Sequence, residues 1–337
     1  MEAIEVEVDG RLVRVSNPDK VFFTRRGETK LDLIDYYLAV GSQMMAVVGG
    51  RPALMQRFPD GASGKNFFQK RVPKGAPEWL QTTVVSTPNG TTSDAIVLAD
   101  LAHVAWAAQM GSLCFHVWPY PAAQPEIADE LRIDLDPHGG VTFDDVRWAA
   151  HQVHDFFGEL GIRSWVKTTG SKGLHVFVRL AAEWDSYQVR AAAVALAREL
   201  ERRHPDRLTA AWWKEERGDR VFIDFNQNAP HKTVFGAWSV RPRVGAQVSM
   251  PIRWDQVDTI DPQALTIATV PNLVEAEGDA WIEYATAAER LEPLLELHER
   301  DMADGLMDAP WPPVYPKQPN EPPRVAPSRA RAVDPDA

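Results

Sequence analysis

Leu131-Arg132-Ile133-Asp134-Leu135-Asp136-Pro137 is the stretch on which the fold turns. Polar and apolar residues alternate through it, and in a β-strand successive side chains point to opposite faces. Asp134 and Asp136 therefore share one face, while Ile133 and Leu135 share the other and point to a core. Two neighbouring carboxylates repel each other unless a cation lies between them, and hard divalent cations take oxygen ligands. Alone, an Asp-x-Asp is equally a pair of solvated charges. A third aspartate, Asp224, ends a second apolar run, Arg220-Val221-Phe222-Ile223-Asp224-Phe225. A buried, unpaired charge would be costly there.

Working outward, residues 131 to 224 read as strand, helix, strand, strand, helix, strand. Thr142 with Asp145 starts a helix that runs to about Leu160. Ser164–Lys167 and Leu174–Leu180 are apolar strands around Thr168-Thr169-Gly170-Ser171-Lys172-Gly173, and Ser186–His204 is an alanine- and arginine-rich helix. Val221–Asp224 closes the series. This β-α-β-β-α-β order predicts a ferredoxin-like or RNA-recognition-type mixed sheet with one open face. Upstream, Glu5–Val15 forms a hairpin at Asp9-Gly10, and Leu31–Val48 is a helix ending at Gly49-Gly50. Ala53–Phe58, Ala95–Leu98 and Leu113–Val117 are strands, and Asp100 caps a helix reaching Gly111. Further helices are expected near 262–268 and 281–301. Eight prolines between 310 and 327 exclude regular structure there. That tail is a wrapping strap or disordered, with Trp311 and Tyr315 favouring docking to about residue 320.

The 337 residues carry a net charge of −11, which taken as a sum opposes a nucleic-acid partner, but its distribution matters more. Residues 251–337 hold 17 acidic against 7 basic side chains, and residues 1–250 hold 30 against 29. Within this balanced body Arg57, Lys65, Lys70, Arg71 and Lys74 surround Phe67-Phe68. Cations meet phosphates and rings stack on bases, so the loop suits a nucleic acid; a solvated loop over two core phenylalanines remains open. The single cysteine, Cys114, excludes internal disulfides and a cysteine-rich zinc site. No apolar run nears the roughly 18 residues of a membrane span, and no signal peptide is legible. A cytoplasmic protein without membrane partners is expected.

Gly170-Ser171-Lys172-Gly173-Leu174-His175 offers backbone amides, a hydroxyl, a cation and an imidazole. It lacks the Walker spacing. Together, Asp134-Leu135-Asp136, Ser171-Lys172-Gly173-Leu174-His175 and Asp224 resemble, in order and spacing, the three motifs of the archaeo-eukaryotic primase superfamily. From about Asn17 to about Trp281 the chain resembles the polymerase domain of bacterial non-homologous end-joining ligase D.

The resemblance implies an α+β primase-polymerase fold in one compact unit. Residues 1–120 would form an N-terminal α/β module against the catalytic face, 121–302 the catalytic module with C-terminal helices, and 303–337 a partly disordered Pro-rich tail. It implies two divalent ions, manganese preferred or magnesium, on Asp134, Asp136 and Asp224, and NTP or dNTP substrates with ribonucleotides preferred. Thr169, Ser171, Lys172, Arg217 and Arg241 would grip the triphosphate, and His116, His175 and Gln227 would contact sugar or phosphate. Asn17 and Lys20 would receive the 5′-phosphate of a downstream strand, and Phe67 and Phe68 would stack on the template. Partners would be gapped or 5′-phosphorylated DNA met by a monomer near the bacterial nucleoid. No ligase or phosphoesterase motif is legible, so Ku and a DNA ligase are expected to be met non-covalently.

This chain departs from the family pattern at Cys114, where a glutamate is common, and at Thr169, where serine is commoner. The segment Asp129-Glu130-Leu131-Arg132-Ile133 is less basic than usual. Two other readings fit parts of the pattern: a metal-dependent nuclease, and a non-catalytic nucleic-acid binder. The second would carry three aspartates on the face that such a module uses to read bases.

Overall fold

The computed structural model describes residues 3–330. The alternation around Leu131–Leu135 produces the strand Ile127–Pro137, at the centre of a six-stranded sheet. The strands run in the order Leu208–Thr209, Val221–Asp224, Ile127–Pro137, Leu174–Asp185, Trp165–Thr168, Pro251–Ile252. The inner four are antiparallel to one another, in the arrangement a β-α-β-β-α-β chain adopts, while the edge strand Leu208–Thr209 joins in parallel. Two edge strands unforeseen in the sequence, Leu208–Thr209 and Pro251–Ile252, are each only two residues long.

Helices Phe143–Glu159 and Ser186–Arg203 bury their apolar faces in the same core as Ile133, Leu135, Val176 and Val178. Both start at reciprocal caps, Thr142 with Asp145 and Asp185 with Gln188. One face of the sheet is therefore covered by helices, and Asp134 projects from the other.

That other face meets an N-terminal sheet ordered Val234–Phe235, Ser112–Val117, Pro52–Arg57, Thr92–Val97, Thr82–Ser86, with Phe67–Gln69 also paired to Pro52–Arg57. The contact between the two sheets is ionic and buried. A bulge between Ala128 and Glu130 brings two consecutive acids to one cation. Arg51 reaches Asp129 at 2.7 Å and Glu130 at 3.0 Å, and Arg132 bonds Glu130 and the carbonyls of Val117 and Trp118. Tyr284 adds a 2.7 Å bond to Glu130. Charges this buried persist only when fully paired.

Three helix expectations need correction. Leu31–Val48 is two helices, Lys30–Ala39 and Gly41–Val48, bent by 73° at Val40. A side chain at Gly41 would strike Leu101, so the glycine just after the break lets the helix Leu101–Gln109 approach. Residues 262–268 form turns, and the helix begins at Val270, with a proline in its first turn. The expected 281–301 helix is Glu292–Ala303, again opened by a proline, while Trp281 and Tyr284 stack at 4.6 Å in the preceding turns. The Pro-rich segment docks beyond residue 320, as far as Ser328, whose amide and hydroxyl bond Glu215. Residues 331–337 of the expected tail lie outside the described residues. Among those described, no single helix is long and apolar enough to cross a membrane.

Candidate active site

Strand register assembles the site. Asp224 lies opposite Asp134, Asp134 opposite His175, and His175 opposite Lys167, so four polar residues form one row across four antiparallel strands. Asp136 stands two residues further along the same face. Oxygens of Asp134, Asp136 and Asp224 all lie within 4.8 Å of one another.

Burial raises the Asp134 carboxyl to about 6, against the pull of Arg241 and Lys167. Asp136 is also lifted to about 6 by desolvation and then by Asp134. Asp224 reaches about 7 through burial and the charges of both other aspartates, although Gln227 and Asn226 oppose the rise. Three crowded carboxylates that resist ionising are relieved by a bound cation, and an all-oxygen donor set suits Mg²⁺ or Mn²⁺. The cluster fits divalent metal.

His175 Nε2 lies 3.1 Å from Asp134. Burial, with Lys167 and Arg241 nearby, holds this imidazole well below its ordinary value and hence neutral. Its Nε2 faces the Asp134 carboxylate as a close polar neighbour, and its Nδ1 is buried without a hydrogen-bond partner among the described residues. Lys167 is fully buried, donates to Ser249 Oγ at 2.6 Å, and is driven well below 10.5 by burial and Arg241. The sequence reading passed over it, although a lysine ending an apolar strand two residues before the glycine turn was a legible signal.

The turn after Lys167 is built by Thr169, whose hydroxyl accepts from the amides of Ser171 and Gly173 at 3.3 and 3.2 Å. Gly170 holds φ +68°, and a Cβ there would sit 2.7 Å from Arg241 Cγ. Arg241 donates to Thr169 O at 2.5 Å and lies over Phe235, which pairs with His116. Burial and the cations Arg241 and Lys167 push His116 down to about 4, and its Nε2 is buried without a partner among the described residues. On the far side of His116, Phe68 packs edge-on at 5.7 Å. Phe67 and Phe68 are 47% and 56% exposed, so the core reading of this pair is set aside.

A sequence profile of the LigD primase-polymerase domain matches residues 29–281. The chain belongs to this family. It is a primase-polymerase domain, a nucleotidyltransferase by class. The multifunctional non-homologous end-joining protein LigD of Mycolicibacterium smegmatis is 34% identical over 269 residues, covering 79% of this chain and 35% of that protein. The corresponding protein of Pseudomonas aeruginosa is 29% identical over 285 residues, covering 83% and 34%. The chain thus spans about a third of these relatives' length. Among solved structures, the polymerase domain of Mycobacterium tuberculosis ligase D in complex with DNA aligns with TM-score 0.76 at 31% identity, over 82% of this chain and 98% of that one.

In this primase-polymerase domain the remaining expected residues fall in three places. Arg217 and Gln227 join the carboxylates. Gln227 Nε2 donates to Asp224 at 2.7 Å, so it holds the acid as well as facing the site. The Arg217 guanidinium lies 3.5 Å from the Phe222 ring centre, bonds the carbonyls of Ala211 and Trp212, and feels Asp224 and Asp136. Ser171 and Lys172 sit on the glycine turn, Lys172 exposed. Asn17 and Lys20 belong to a separate loop, where Lys20 bonds Pro59 O at 2.8 Å and Asp60 at 2.7 Å. Cys114, where the family commonly has glutamate, is buried against Gln56, and its thiol is pushed up to about 12.

Proposed function

We propose that this chain is a template-directed polymerase that extends primer 3′ ends at gaps or at broken DNA ends. The observation that carries this reading is the cluster of three carboxylates, on two adjacent strands, beside the glycine turn of residues 169–173. Asp134, Asp136 and Asp224 would hold two divalent ions, manganese or magnesium. Bound there, such ions supply charge that clamps attacking and leaving oxygens of an in-line phosphoryl displacement. Lys172, with Ser171 and the amides that Thr169 arranges, presents cationic and N–H groups to a triphosphate. Arg241, braced on Thr169, and Arg217, braced on Ala211 and Trp212, close the flanks. His116 and His175 each keep one ring nitrogen available, His116 for the sugar and His175 beside the phosphate. A polar contact at the sugar, rather than an aromatic gate, is the basis for preferring ribonucleotides.

Phe67 and Phe68 form a base-stacking platform on the same flank as His116. Asn17 and Lys20 form a candidate 5′-phosphate pocket that measures a gap from its far side. The module boundaries near residues 120 and 302 belong to this proposal, as do a monomeric state, action at the bacterial nucleoid, and partnership with Ku and a ligase.

The test is primer extension on a gapped duplex with a 5′-phosphate, in Mn²⁺, comparing ribonucleotides with deoxyribonucleotides. Extension by the wild type, lost in Asp136→Ala with DNA binding retained, is expected. Shortening of the primer without addition would move the cluster to nuclease chemistry.

A further inference from the structure

We infer that Arg190, Asp308 and Trp311, two of them on the proline-rich strap, are positioning residues that hold Asp224 in place through Asn226. The inference rests on the metal-binding reading above. The strap lies beyond residue 281, outside the stretch that matches the family.

Asp224 leads directly into a four-residue 3₁₀ turn, Phe225–Asn228, and its carboxylate accepts from the Asn226 amide at 2.9 Å. Such a turn has poor internal hydrogen-bond geometry and needs outside partners. The Asn226 side chain is buried and engaged at both its oxygen and its nitrogen. Its Oδ1 accepts from Arg190 Nε at 2.7 Å, and its Nδ2 donates to Pro310 O at 3.1 Å. Arg190, 1% exposed, gives its other groups to the strap: Asp308 at 3.1 Å, Ala309 O at 2.9 Å and Pro310 O at 3.2 Å.

Trp311 closes the assembly. Its ring lies 3.8 Å from the guanidinium, its Nε1 bonds Asp308 at 2.7 Å, and its amide bonds the buried Glu321. On the far side of the turn, Tyr315 bonds Pro230 O at 2.6 Å and packs with Trp311 and Ala229 in a small cluster of its own. The strap thus grips both ends of the short segment whose first residue is Asp224. Asp134 sits mid-sheet between ladders on both sides and Asp136 is held by its pairing with Phe222 inside a strand, whereas Asp224 ends its strand and has no ladder pairing beyond it.

Groups that orient metal ligands change metal affinity by about 10- to 100-fold when lost. The experiment is a Mn²⁺ titration of the full chain without nucleotide, read by electron paramagnetic resonance, alongside thermal unfolding. Trp311→Ala is expected to weaken Mn²⁺ binding about tenfold, and Trp311→Phe to restore most of it. Leu294→Ala, in the buried face of the helix Glu292–Ala303, serves as a comparator that lowers stability without touching the turn. It should keep Mn²⁺ affinity within about twofold, well short of the change expected at an orienting partner. If Trp311→Ala does not fold, Asp308→Asn, which keeps the shape and removes the charge, carries the same expectation. Unchanged affinity in the folded strap variants, or equal loss in Leu294→Ala, overturns the inference. Failure of the wild type to bind Mn²⁺, or binding retained in Asp224→Ala, sinks the metal reading itself and this inference with it.

Discussion

Replacing Asp224 by asparagine should abolish nucleotide addition and yet make the metal-free protein more stable at pH 8. In the folded chain the carboxyl titrates at about 7 rather than at its ordinary 3.8, first because it is buried and then because Asp134 and Asp136 crowd it. The native state therefore binds this proton more tightly than the unfolded chain. Stability contributed by the protonated acid is complete below about pH 4 and is lost as pH rises through about 7. The distance between 3.8 and about 7 corresponds to about 4 kcal/mol at pH 8. The three acids share one titration, and asparagine weakens the bonds from Asn226 and Gln227, which together return about 2 kcal/mol. A net gain of about 2 kcal/mol remains, or about 3 °C in Tm for a chain of this length. The assay is calorimetric or CD melting of wild type and Asp224→Asn in EDTA at pH 8 and pH 4.5. The gain should be present at the first pH and absent at the second. Adding Mn²⁺ at pH 8 should reverse the order, because only the wild type keeps all three ligands. A variant less stable than wild type at pH 8, or an equal shift at both pH values, would refute the electrostatic reasoning.

Gly170→Ala forces an alanine into φ +68° with its Cβ against Arg241 and the Val248 backbone. A loss of about 2 kcal/mol and a nucleotide KM raised about tenfold are expected, measured by melting and steady-state extension. Lys167→Met removes a buried amine whose only hydrogen bond among the described residues is to Ser249, so stability should hold within about 1 kcal/mol. Its extension rate should nonetheless fall at least tenfold; unchanged kcat would reduce Lys167 to packing. Lys20→Ala should weaken binding to gapped DNA with a 5′-phosphate but not to the unphosphorylated duplex. Asp60→Asn, by freeing Lys20 from its ion pair, should strengthen the former. Fluorescence anisotropy at two salt concentrations separates the two substrates, and equal effects on both would leave Lys20 a general surface charge.

Residues whose role follows from strand alternation were legible in the sequence, because period-two patterning fixes the face of each side chain. Asp134, Asp136 and His175 fall in this class, and the two reciprocally capped helices were equally plain. What escaped depends on contacts between segments distant in sequence. The bend at Val40 lies beside Gly41, where a side chain would strike Leu101 of the distant helix Leu101–Gln109. Trp281 and Tyr284 have helical spacing yet stack within turns, since Pro293 delays the helix. Lys167 looked like a strand end, and only pairing with His175 puts it in the site. Gln227, expected from the resemblance to contact sugar or phosphate, also donates to Asp224, a bond that the sequence did not reveal.

The row Asp224, Asp134, His175, Lys167 also bears on how such a chain can change over time. Each member comes from a different strand, so deleting or inserting one residue within any strand turns that member to the helix-covered side. The register shift between Ala128 and Glu130 lies just upstream, where residues 180–183 of the partner strand stand against Asp129 alone and the pairing from Glu130 to Leu135 is undisturbed. Length variation should therefore be tolerated before Glu130 and in the surface turns, and eliminated between Glu130 and Asp136. A deletion scan selected for polymerase activity would draw that boundary as a step in survival rather than a gradient.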